Sequence, residues 1–222
     1  HVGQGAILLR EVTKFRDDGP ESQWRWSSII AGDFNFGPDD PAYTLLMGDA
    51  LLPEQKKRQD SSYVVHATID STVATDGAAQ AEEEEEGAEA GENDPDRVIV
   101  NARPAQPSDD LQSGTVISAY DAGQRQVPGI SESGLTFGSR VSVPQERRGA
   151  FEPIYTSYTH HPLMCVPVAD YIFVLDARGR DVPVVRLAKP HRKEVFGDGL
   201  PKKGVCVSDH ISLAAEQHWL PP

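Results

Sequence analysis

From Asp76 to Asp96 the chain carries ten acidic residues, five of them in the unbroken run Glu82 to Glu86, and no basic one. The stretch has almost no large apolar side chains. It buries too little surface to offset the entropy of ordering, so residues 76–97 are expected to form a disordered insertion whose role is solvation. Any core therefore has to be assembled from the residues on its two sides, in a chain long enough for one large domain or two small ones. Charge follows the same division. The 222-residue chain has a net charge of −13, but outside the Asp76 to Asp96 stretch 24 acidic residues stand against 21 basic ones. The part able to fold is close to neutral, so overall charge excludes no class of partner, nucleic acid included.

No apolar run is long enough to span a bilayer, and no signal-peptide pattern opens the chain. The expectation is an intracellular protein, in cytoplasm or nucleus, with no membrane partner. Cys165 and Cys206 are too few for a disulfide framework or a metal cluster; they are expected as buried thiols, with no disulfide-linked partner. The sequence opens with His1 and runs almost at once into a helical pattern, as a piece of something longer would.

Periodicity supplies the elements. Leu8, Val12 and Phe15 share one helical face, with Ile7 beside them, which predicts an amphipathic helix from about Gln4 to Arg16 stopped by Asp18-Gly19-Pro20. A strand is predicted over Gln23 to Ala31. Asp40 is placed to cap a helix with Pro41 in its first turn and with Tyr43, Leu46 and Met47 buried. Residues 63–66 read as a strand. The 98–140 stretch reads as loop-rich, with Val116 to Tyr120 its one element. Ile154 to Thr159 reads as β-rich. Asp170 to Leu175 is apolar on both faces, as a central strand would be. Val182 to Leu187 and Ile211 to Ala215 read as further strands, and Gly197 to Pro201 as a loop.

Three polar groups stand at the ends of these elements. In Ile29-Ile30-Ala31-Gly32-Asp33-Phe34-Asn35 an apolar strand ends in a carboxylate and an amide two residues apart, which an extended chain would present on one face. Such a pair suits phosphate chemistry: the carboxylate holds a hydrated divalent cation or orients water, and the amide donates to a phosphoryl oxygen. Taken alone, the stretch reads equally well as an ordinary strand-ending turn. The other two groups are Asp170, at the start of the central strand, and Ser208-Asp209-His210.

The order Gly-Asp-Phe-Asn, then Asp170-Tyr171-Ile172-Phe173, then Ser208-Asp209-His210-Ile211-Ser212-Leu213 resembles the endonuclease/exonuclease/phosphatase superfamily of Mg-dependent phosphodiesterases. Pro38, Pro41, Ala42 and Tyr43, the run Pro153 to His160, and Gly199-Leu200-Pro201 make it most similar to the deadenylase-type RNA exonucleases, in particular the fungal Ngl-like group. The resemblance implies an α/β fold, a two-sheet sandwich flanked by helices with the N-terminal part of the domain missing, and residues 1–222 as the C-terminal portion of one nuclease-like domain. It implies a Mg2+-dependent 3′ to 5′ exonuclease acting on single-stranded RNA. Asp33 would orient or deprotonate the attacking water. Asn35 would bind that water or the scissile phosphate. Asp209 would serve the metal together with Asp33, and His210 would hydrogen-bond a phosphate oxygen with Asp170 accepting from its other ring nitrogen. His160 would lie on the substrate side. His161 would be structural or on the substrate side, and His66, His191 and His218 are read as ordinary histidines.

The sequence departs from the family in one respect. The family's principal metal ligand is a Glu on an early strand, with an Asn further upstream, and nothing N-terminal to Gly32 supplies either, since Glu11 falls on a helix and Glu21 in a loop. The alternative function is therefore a catalytically inactive binding or scaffold module built on a nuclease fold; a phosphatase or DNA-repair nuclease of the same superfamily differs in substrate alone.

Overall fold

The computed structural model describes residues 2–18, 27–61, 64–66, 98–100, 115–126, 136–139, 143–157, 168–176, 183–189, 191 and 193–218. The acidic segment 76–97, the start of the strand expected from Gln23, His160, His161 and Cys165 lie outside them. The fold class is α/β, helices mixed with antiparallel strands. Two compact units are present, one made of residues 1–51 and 107–222, the other of residues 52–106.

The larger unit centres on a three-stranded sheet of order β1-β5-β4, comprising β1 (Ser28–Asp33), β5 (Asp170–Asp176) and β4 (Thr115–Ser118). Both pairings are antiparallel, and β5 is central as its apolar faces require. On one face Ile30, Tyr171, Phe173, Leu175 and Val116 pack against α1 (Val2–Asp17) and α2 (Pro41–Leu46) through Leu9, Val12, Tyr43 and Leu46. The aromatic rings interlock there: Tyr171 and Phe173 stack at 4.9 Å, and Phe34 meets Phe173 edge-on at 4.9 Å.

α2 begins as its sequence dictates. Asp40 accepts from the Ala42 amide at 2.8 Å, and Pro41 stands where no N–H is needed. For α1 the extent agrees with the periodicity but the buried face does not: Gly5, Leu9, Val12 and Arg16 turn inward, while Phe15 is 83% exposed and Ile7 54%. Gly5 faces α2, where a Cβ would make ordinary contact with Leu46 at 3.5 Å.

Several elements differ from expectation. The 98–140 stretch contains β3 (Val98–Val100), β4, α4 (Ala119–Gln126) and a 3-10 turn, Phe137–Ser139. α4 packs against β6 (Val184–Leu187), which pairs with β7 (Ala215–Gln217). The closing strand thus starts at Ala215, four residues later than its alternation suggested, and Ile211 instead donates singly to the Thr156 carbonyl at 2.7 Å. Among the described residues of the run expected as β-rich from Ile154, Ser157 makes an isolated bridge to His210, and just before it Pro153 bridges Thr136. A short helix, α5 (Lys193–Phe196), precedes the Gly197 to Pro201 loop. Cys206, expected buried, is a half-buried free thiol. No helix among the described residues is long and apolar enough to cross a membrane.

In the smaller unit α3 (Pro53–Ser61) is opened by Gln55, whose side-chain oxygen accepts from the Leu52 amide at 2.9 Å. There β2 (Val64–His66) pairs antiparallel with β3, Val64 opposite Val100.

Candidate functional site

The register of β1 on β5 places Asp33 directly opposite Asp170. Two carboxylates at facing positions repel each other. The imidazole of His210 enters between them: Nδ1 lies 2.8 Å from Asp170 Oδ2, and Nε2 lies 3.9 Å from Asp33 Oδ2. Asp209 brings Oδ1 to the same Nε2, also at 3.9 Å. Sequence-distant Asp33, Asp170, Asp209 and His210 thus converge on one imidazole. The hydrogen bond that Asp170 accepts from His210 raises the His210 pKa above its ordinary value; partial burial opposes this, and the charges of Asp170, Asp209 and Asp33 reinforce it.

Each group is held by local structure. Beyond the end of β1 the Phe34 amide still donates to the Ala169 carbonyl at 2.7 Å, which fixes the strand tip. Asn35 has φ 55°, in the left-handed region that Asn tolerates better than most residues. The extended, same-face arrangement expected for Asp33 and Asn35 is therefore replaced by a tight turn. The Asn35 amide donates to Asp33 Oδ1 at 2.9 Å and its Nδ2 to Asp33 Oδ2 at 3.2 Å. Asn35 orients Asp33 through these two bonds, and its side-chain amide carries a second N–H donor besides the one given to Asp33. His210 is fixed by its backbone, whose amide donates to Ser208 Oγ at 3.0 Å, and by the bridge to Ser157.

Thr156 was not singled out by the sequence. It is fully buried, and its Oγ1 accepts from both the Ala169 amide at 2.9 Å and the Asp170 amide at 3.0 Å. It thereby sets the start of β5 and the height of the Asp170 carboxylate, while its own carbonyl ties down Ile211 beside His210. In Tyr155-Thr156-Ser157 it reads as one more β-branched strand residue. Ser208 was more legible, since a hydroxyl two residues before an amide is an ordinary turn signature.

Among the described residues no group of three or more His, Cys, Asp and Glu side chains is gathered as a metal cage. Mg2+ is commonly anchored by one or two carboxylates, with water and substrate phosphate completing its shell. Asp33 and Asp209, both on the Nε2 side of His210, fit that minimal donor set and nothing larger. Next to the histidine, on the Ala31 and Ile172 side of the sheet, opens a cavity of about 680 Å3. Comparisons with protein-family models, with curated proteins and with solved structures find no match to this chain.

Proposed function

We propose that this chain carries the phosphodiesterase site of an endonuclease/exonuclease/phosphatase-type domain, a two-sheet sandwich in its complete form, acting intracellularly as a Mg2+-dependent 3′ to 5′ exonuclease on single-stranded RNA. The observation that supports the reading is the convergence of Asp33, Asp170 and Asp209 on the His210 imidazole. A phosphodiester gains negative charge toward its transition state, and an imidazolium with one ring nitrogen bound to Asp170 presents the other toward that charge. Asp33, held by the two Asn35 hydrogen bonds, is oriented to take a proton from water. Asp209 and Asp33 would hold Mg2+, which when bound supplies Lewis-acid stabilisation of the phosphate.

Asp33 and Asp209 alone are a small donor set, so Mg2+ is expected to bind this chain weakly and its turnover to be low. That shortage is also the observation favouring the second reading, a nuclease-fold module that holds nucleic acid without cutting it. RNA hydrolysis across a Mg2+ titration, by the chain alone and fused to an upstream half bearing the strand-borne Glu, separates the two. The enzyme reading predicts cleavage that rises with Mg2+ and is restored by the fusion. A fusion that binds RNA and never cleaves it favours the module.

A further inference from the structure

Tyr171 follows Asp170 on β5, and its ring belongs to the core packed against α1 and α2. Its same-face neighbour Phe173 stacks on it at 4.9 Å and has no hydroxyl, so ring packing on this face does not require a phenol. The hydroxyl that Tyr171 adds is buried and donates to the Phe36 carbonyl at 2.7 Å. Burial, reinforced by the Glu152 charge, raises the phenol pKa well above its ordinary value, so the group keeps the proton it donates.

The accepting carbonyl is the one that directly follows Asn35, the residue at φ 55°. The chain is therefore anchored on both sides of that residue. Before it, the Phe34 amide donates to the Ala169 carbonyl at 2.7 Å; after it, the Phe36 carbonyl is held by Tyr171. Both anchors come from residues 169–171, the stretch that also carries Asp170. The rings of Phe34 and Phe36 lie 5.8 and 5.7 Å from that of Tyr171 and brace the same turn. Between the anchors, the Asn35 amide and side chain bond the two oxygens of Asp33, whose Oδ2 stands 3.9 Å from His210 Nε2. Left-handed backbone is only sparsely favoured even for Asn, so a freed residue 35 would return to the β or helical region and Asp33 would lose both bonds.

Resting on the phosphodiesterase reading for what Asp33 does, we propose that Tyr171 is a positioning residue of the site: its hydroxyl, through the Phe36 carbonyl, holds Asn35 in the left-handed turn and so sets the orientation of Asp33 opposite Asp170. The test is amide hydrogen exchange by NMR in the full chain, comparing wild type with Tyr171→Phe and with Tyr43→Phe. The second variant removes a buried hydroxyl from the same aromatic cluster, but one bonded to Glu152. Tyr171→Phe is expected to accelerate exchange of the Asn35 amide about tenfold more than that of Val174, in the middle of β5, whereas Tyr43→Phe changes the two alike. Asn35→Gly is independent of both: with the two anchors intact, the residue-35 amide keeps its bond to Asp33 and exchanges within about fivefold of wild type. Equal acceleration at Asn35 and Val174 in Tyr171→Phe, or lost protection in Asn35→Gly, overturns the proposal. With the upstream half supplied, Tyr171→Phe is expected to lower single-turnover RNA hydrolysis about tenfold and to leave RNA affinity in EDTA unchanged. A wild-type rate in Tyr171→Phe where Asp33→Ala abolishes cleavage also overturns it. If Asn35 loses protection in Tyr171→Phe but Asp33→Ala leaves Mg2+-supported cleavage unchanged, the phosphodiesterase reading fails and the hold of Tyr171 on the turn stands.

Discussion

A single histidine holds the candidate site together, and single atoms around it decide whether it is held well. Thr156 accepts from one buried and one partly buried amide at once. Thr156→Val keeps the shape and removes the one oxygen that accepts both bonds, and an unmet buried amide costs about 1 to 3 kcal/mol. The expected loss is about 2 to 4 kcal/mol in urea denaturation, and Thr156→Ser recovers most of it; a Val variant of wild-type stability would remove Thr156 from the account. Asn35 gives a backbone test. At φ 55° a β-branched side chain costs about 1 to 2 kcal/mol, so Asn35→Val destabilises by that amount while Asn35→Gly stays within about 1 kcal/mol. At this scale the sequence was informative about identity and misleading about geometry. Asp33 and Asn35 were visible as a polar pair, but their relation depends on a left-handed residue that reading them as an extended strand hides.

Between elements, the buried contact that ties α2 to α4 is polar. Glu152 is fully buried, accepts from the Tyr43 hydroxyl at 2.8 Å, and lies near Asp121, which pairs with Arg125 at 2.9 Å. Burial, then the nearby Asp121 charge, raises the Glu152 pKa from 4.5 to about 8. Between those two values the folded protein keeps a proton that the unfolded chain has released, so stability falls as pH rises from about 4.5 to about 8. Glu152→Gln keeps the acceptor for Tyr43 and removes the titration. Urea midpoints of the variant are expected to vary less over this window than those of the wild type; an unchanged pH profile would assign the dependence to other groups. Glu152 lies in a Gly- and Arg-rich stretch where periodicity says nothing of burial. α4 was hidden for a related reason. Gly123 reads as a breaker, yet a Cβ there would lie 2.8 Å from Val184 and Leu187 side-chain atoms, so the glycine is what lets the helix sit on β6.

For the whole molecule, strand types were legible where local pattern sufficed and pairings were not. β5 announced itself as central by apolar residues on both faces, and α2 by its cap. That Asp33 faces Asp170 follows from a pairing between segments separated by most of the chain, including the acidic run, and no local pattern encodes such a register. The sandwich and the nuclease activity rest on the order of three short motifs, so they depend most on a functional test. That test is single-turnover hydrolysis of 3′-labelled single-stranded RNA in saturating Mg2+, with the upstream half supplied, comparing wild type with Asp33→Ala and His210→Ala and taking a melting curve for each. The account predicts release of mononucleotides from the 3′ end that falls about a hundredfold or more in either variant while both remain folded, since each substitution removes transition-state stabilisation. Wild-type rates in both folded variants, or no cleavage at any Mg2+ concentration, would contradict it.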